Sequence, residues 1–217
     1  MTHRDMFGDA LWLGADGVTN TPCFRASFEG GRASRADITI CGLGHFLLYL
    51  NGQPVSDDLF VPAVSDYAPR AIFCDHGPPF DEAMRRRCYC LRYSLDGLLT
   101  EGQNELAVAL GPGFFAEPLA SFDDAFVRYG EVRLCYRIRL VDQAGNVREV
   151  YSNAQARWKQ GTVEECSFFR GEKQNPALLP DDWTTAAYGD WQPVRILPDL
   201  DTDYQLQDCR QTACFAR

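Results

Sequence analysis

The stretch that most constrains this 217-residue chain is Asp37–Pro62, DITICGLGHFLLYLNGQPVSDDLFVP. It holds two apolar runs joined by Asn51-Gly52. In the first run Ile38, Ile40, Phe46, Leu48 and Leu50 share one parity, and Asp37, Thr39, His45 and Tyr49 share the other. Strict alternation of this kind marks a strand with one buried face. Asn-Gly accepts positive φ at both positions and closes a tight turn whose twist matches the strands. The return run keeps Val55, Leu59 and Val61 at odd spacing. The pattern predicts one long β-hairpin, and Gly42 and Gly44 within it predict a bulge or a close backbone approach.

The rest of the chain repeats this style. Phe24, Ala26 and Phe28 alternate with Arg25 and Ser27, and Glu29-Gly30-Gly31 turns the chain into the hairpin. Residues 88–95 and 106–110 read as strands, with a short helical turn ending in Gly102 between them. From Glu131 to Val141 the residues Val132, Leu134, Tyr136, Ile138 and Leu140 share one face, opposite Arg133, Arg137 and Arg139. That arginine face reads either as solvated or as the side turned to an adjoining domain. A turn at 142–146 leads to a partner strand from Val147 to Trp158. Further strands are expected at 164–170, 191–197 and 204–208, with a loop at 175–182. The pattern lapses between Ser65 and Arg87, where Pro, Gly and Asp rule out a regular element beyond one helical turn at 81–87. About ten strands with turn signals between them give an all-β chain, an antiparallel β-sandwich of jelly-roll type with short helical turns. The expected organisation is a sandwich over 1–198 and an extension over 199–217 toward a further domain.

Composition narrows the function. With net charge −9 and pI near 4.8, the chain is repelled by phosphate backbones, which argues against nucleic acid. No apolar run reaches the roughly 18 residues of a membrane span, and the N-terminus shows no hydrophobic region of a signal peptide. The nine cysteines are odd in number and scattered. Several fall within expected strands, where a free thiol acts as a small hydrophobe, so a reduced, cytoplasmic protein is expected. Cys88-x-Cys90 lacks the spacing of a zinc knuckle, and His3, His45 and His76 are far apart in sequence.

The order of these segments resembles the N-terminal β-sandwich region of bacterial α-L-rhamnosidases. The resemblance rests on Gly42-Leu43-Gly44, Leu48-Tyr49 and Asn51-Gly52 with Val55, and on the Asp66-Tyr67 turn. It continues through Tyr93, Leu98-Leu99, Gly102 and Asn104 to Leu110-Gly111-Pro112-Gly113-Phe114-Phe115. It closes with Gly171-Glu172 and Trp191-Gln192-Pro193-Val194. The chain departs from the family where Gln174-Asn175 replace a Tyr-Asp pair, where Phe114-Phe115 replace Trp-Tyr, and where 71–87 looks inserted. The resemblance implies a non-catalytic accessory domain of a glycoside hydrolase, serving a downstream catalytic domain of the same polypeptide. Glycoside hydrolysis needs a positioned pair of carboxylates, and no pair stands out here. Asp208-Cys209 is similar to a pair in the family's catalytic region but reads as part of the closing strand.

Four residues are candidates for binding rhamnose-containing glycans. They are Asp66, Tyr67, Phe114 and Phe115, of which the three aromatic residues would offer an apolar platform to a deoxy sugar, against a plain reading as core packing. Asp57, Asp58 and Asp66 would offer oxygen ligands to Ca²⁺, against a plain reading as a solvated loop. The Asn51 amide reads as turn chemistry rather than a sugar contact. The alternative function is a structural or docking module with no ligand of its own.

Overall fold

A computed structural model of the chain describes all residues except 17, 18, 20, 66, 68–86, 118–128, 169, 188 and 208–217. A five-residue helix, α1 (His3–Phe7), precedes β1 (Trp12–Gly14), β2 (Pro22–Glu29) and β3 (Ala33–Leu43). Then come β4 (His45–Leu50), the short β5 (Gln53–Pro54), β6 (Arg87–Ser94) and β7 (Gln103–Gly111). β8 (Arg133–Asp142) and β9 (Val147–Tyr151) form a hairpin. β10 (Arg157–Gln160) leads into a two-stranded ribbon of β11 (Val163–Ser167) and β12 (Gly171–Gln174). The described chain finishes with β13 (Gln192–Pro193), β14 (Arg195–Leu197) and β15 (Asp203–Leu206).

These strands make an antiparallel β-sandwich. The first sheet runs β14-β1-β8-β3-β6-β15, with β9 also on β8, and the second runs β13-β10-β2-β7-β4-β5. Alternation supplies the core. Ile38, Ile40, Leu91, Leu134 and Ile138 of the first sheet join Phe24, Leu48, Leu50, Leu106 and Val108 of the second in one buried cluster.

The expected long hairpin is the main correction. β3 lies between β8 and β6 in the first sheet, whereas β4 pairs with β7 in the second. The chain therefore changes sheet at Gly44. A Cβ there would lie 2.1 Å from the Pro112 carbonyl oxygen, which is the close approach the glycines suggested. The true hairpin at Asn51-Gly52, with φ of 51° and 81°, joins β4 only to the two residues of β5. The same crossing recurs twice. The expected strand from Val147 to Trp158 divides into β9 in the first sheet and β10 in the second, and the run 191–197 divides into β13 and β14. Alternation hides a crossing because inward residues stay inward on both sides of it.

The outer face of the first sheet carries a second buried layer. Trp12, Cys41, Cys88, Cys90, Cys135 and Tyr204 are buried, together with Met6 and Phe7 of α1. His3 reaches the same layer, its ring within 5.5–6.1 Å of Phe7, Trp12 and Tyr204. The six described cysteines are free thiols, and five of them are buried. β15 pairs with β6 in parallel, Tyr204 beside Cys88, and the Tyr204 amide donates to the Met1 carbonyl at 2.8 Å. The Gln207 amide, at the end of the described chain, donates to the Cys90 carbonyl at 2.8 Å.

Arg133 is neither solvated nor turned to a neighbour. It is buried, donates to the Pro198 carbonyl at 3.1 Å, and lies 5.9 Å over the rings of Trp12 and Phe115. Burial lowers its pKa. Arg137 faces Glu149 at 3.8 Å, and Arg139 is exposed.

Candidate functional site

Alternation along the second sheet turns His45, Leu47 and Tyr49 of β4 outward. Opposite them on β7 stand the small residues Gly111, Ala109 and Ala107. Cys23 of β2 pairs with Ala109 on the far side. Small side chains in the middle of a sheet face leave a depression. Here it is walled by the β11–β12 ribbon and by the segment carrying Leu59 and Phe60. The result is a cleft of about 520 Å³.

Its walls are aromatic. The His45 ring meets Phe60 edge-on at 5.8 Å and Phe168 at 5.6 Å, and Phe168 stacks on Phe114 at 4.4 Å. Phe60 is 71 % exposed and sits in the left-handed backbone region with φ 56°. A bulky residue held there costs on the order of 1–3 kcal/mol, a strain that gathers at functional sites. The ribbon is tied down at both ends. Gln160 Nε2 donates to the Val163 carbonyl at 2.7 Å, as does the Thr21 hydroxyl, and the Phe168 amide donates to Glu117 Oε2 at 3.2 Å.

Polar groups on the lining are few. Neither ring nitrogen of His45 has a hydrogen-bond partner among the described residues, and burial holds its pKa below the ordinary 6.5. Burial pushes the Cys23 thiol up to about 12. Burial, with Glu172 beside it, pushes the Cys166 thiol up to about 11. Glu172 is the one carboxylate among the described lining residues; it accepts from Gln174 at 3.0 Å and from the Cys166 thiol at 3.7 Å. This set can hold an apolar ring edge and offer it a few hydrogen bonds. It lacks the carboxylate pair of glycoside hydrolysis.

The residues expected to bind sugar part company. Phe114 backs the cleft through Phe168. Phe115 is buried, and Tyr67 packs edge-on against it at 5.1 Å and against Tyr129 at 5.1 Å. Burial raises the Tyr67 hydroxyl pKa. Asp66 lies outside the described residues. Of the carboxylates considered for calcium, Asp57 is exposed and Asp58 accepts from the Tyr93 hydroxyl at 3.0 Å. Among the described residues no group of three or more His, Cys, Asp or Glu is arranged to hold a metal ion. Asn51 is consumed structurally. Its Nδ2 donates to the Leu98 carbonyl at 2.9 Å and to Asn104 Oδ1 at 2.8 Å, and its Oδ1 accepts from the Glu105 amide. Phe60 and Phe168 escaped notice in the sequence, and His45 stands out there only as an outward strand residue and an isolated histidine. Only the outward parity of His45 pointed to the cleft.

Known proteins place this architecture. The family described as the α-L-rhamnosidase N-terminal domain matches residues 31–75 and 79–212. An α-L-rhamnosidase of Formosa agariphila is 25 % identical over 159 residues, covering 71 % of this chain and 15 % of that protein. One from Streptomyces avermitilis is 24 % identical over 167 residues, covering 76 % and 14 %. The chain therefore spans under a fifth of the length of these relatives. Among solved structures, the α-L-rhamnosidase of Aspergillus terreus superposes with a TM-score of 0.74 at 19 % identity, covering 92 % of this chain and 22 % of that one. The Streptomyces avermitilis α-L-rhamnosidase complexed with L-rhamnose superposes with a TM-score of 0.68 at 22 % identity, covering 87 % and 17 %. By the extent of the family match, this chain belongs to the α-L-rhamnosidase N-terminal domain family.

Proposed function

We propose that this chain is a non-catalytic accessory module of a larger α-L-rhamnosidase-type glycoside hydrolase, and that its cleft helps to hold rhamnose-containing glycans for a catalytic domain of the same polypeptide. The observation that supports this reading is the aromatic cleft on the second sheet. It presents exposed phenyl rings beside a half-buried imidazole with open nitrogens. A 6-deoxy sugar has an apolar methyl edge that suits such rings and hydroxyls that suit the imidazole. The test is titration with L-rhamnose and aryl rhamnosides, with and without calcium, followed by calorimetry and by backbone NMR. Saturable shifts at His45, Phe60 and Phe168 are expected. Silence up to millimolar sugar would sink the proposal.

One observation favours a second reading. Leu59, Phe60 and Val64 expose large apolar surfaces along one segment, as surfaces between domains do. In that case the module docks without a ligand, and a covalently linked neighbour domain protects these residues from solvent exchange.

A further inference from the structure

We infer that His45 is the specificity-determining residue of the cleft: its neutral imidazole donates one hydrogen bond to, and accepts one from, adjacent hydroxyls of a sugar whose apolar edge packs on the flanking phenyl rings. The inference rests on the carbohydrate reading above and assigns that reading a residue and a protonation state.

Three observations carry it. First, the imidazole is fixed in place. Phe60 and Phe168 meet it edge-on at 5.8 and 5.6 Å, and its strand is locked to β7 by the His45–Gly111 pairing. Second, it has open hydrogen-bonding capacity. A neutral imidazole carries one donor and one acceptor, and neither is used by a described residue. Of the other polar side chains of the lining, the Thr21 hydroxyl donates to the Val163 carbonyl, Ser167 Oγ accepts from the Arg170 amide, and Glu172 accepts from Gln174 and Cys166. Third, the site favours the neutral ring. Among the described residues, the titratable groups of the lining besides His45 are Cys23 from β2 and Cys166 and Glu172 from the ribbon, and Glu117 holds the Phe168 amide behind it. β7 and the Leu59–Phe60 segment bring none to the lining, and the pKa of His45 is lowered by burial.

The chemistry follows from the tautomer. Adjacent hydroxyls on a pyranose can each donate or accept, so they can satisfy both nitrogens at once. A protonated ring has two donors and no acceptor, and it brings a charge into a half-buried apolar cleft. Binding therefore weakens as the ring is protonated, and by linkage a bound sugar lowers the His45 pKa further.

The experiment titrates methyl α-L-rhamnopyranoside into the full chain between pH 5 and 8. It compares wild type, His45→Gln, His45→Phe and, as a control for the neighbouring carboxylate, Glu172→Gln. Expected results are weaker wild-type binding on acidification, a loss of about tenfold in His45→Phe, and near-wild-type but pH-independent binding in His45→Gln. Imidazole NMR on wild-type protein gives a readout that no folding defect can mimic: the His45 midpoint should fall when sugar is added. Saturable binding at the cleft with an unmoved His45 midpoint, or with pH dependence intact in His45→Gln, overturns the inference alone. Absence of any binding overturns both the inference and the carbohydrate reading.

Discussion

Replacing Asn104 by leucine removes a polar side chain of nearly the same shape from a site with no solvent exposure. The Asn104 amide donates to the carbonyls of Thr100 at 2.9 Å and Gly102 at 2.8 Å. Its oxygen accepts from the Thr100 amide at 2.8 Å and from Asn51 Nδ2 at 2.8 Å. The Gly102 carbonyl keeps the Gly30 amide as a partner, and Asn51 Nδ2 keeps the Leu98 carbonyl. The Thr100 amide and carbonyl lose theirs. Two stranded backbone groups at about 1–3 kcal/mol each give a destabilisation of roughly 2–4 kcal/mol, after local hydration of the turn. For a chain of this size that lowers Tm by about 5–15 °C. Urea denaturation and thermal melting measure it directly. A double-mutant cycle with Asn51→Ala isolates the pair, and a coupling of at least about 0.5 kcal/mol is expected. A loss below about 1 kcal/mol, or strict additivity with Asn51→Ala, would show that this network does not hold the Asn51 turn to β7.

Gly44→Ala should lower the urea midpoint by an amount equivalent to about 1–3 kcal/mol, because its Cβ would meet backbone atoms of Pro112 and Gly113 at 2.1–2.5 Å. Gly102→Ala, with nothing within 4 Å, should be neutral or slightly stabilising; equal effects of the two would refute the close approach at the corner. Since burial holds His45 below 6.5, the unfolded chain binds more protons than the folded one between the two pKa values, so the His45 contribution is complete above the unfolded value and is lost as pH falls through that window. Stability should therefore drop less between pH 8 and pH 5 in His45→Gln than in wild type, and identical drops in urea midpoint would contradict this assignment.

Class and strand content were legible because alternation is a direct imprint of a half-buried sheet. The runs around Ile38, Val108 and Ile138 are strands with the inward residues expected of them. Partner choice was not legible. Phe46 continues the parity of Ile40 although the two sit in different sheets, since both point to the same core. Arg133 keeps the outward parity of Arg137 and Arg139, but α1 and the chain around Pro198 add a layer over that end of the sheet. The candidate cleft was harder still. Its depth comes from small residues, Ala109, Gly111 and Cys23, which carry no chemical signature. Its walls come from Phe60 and Phe168, more than a hundred positions apart. Phe114 was noticed for its own ring, whereas its role is to back the ring of Phe168.

The three corner crossings also bear on how the module opens. Each of them, at Gly44, between β9 and β10, and at Val194, commits consecutive strands to opposite sheets. Neither sheet can then lose its strands while the other keeps all of its own. Subglobal opening, in which a contiguous unit unfolds ahead of the rest, is here coupled across the core. Amide protons at the centres of both sheets, such as those of Ile40 and Val108, should therefore exchange through a single global event and share one protection free energy.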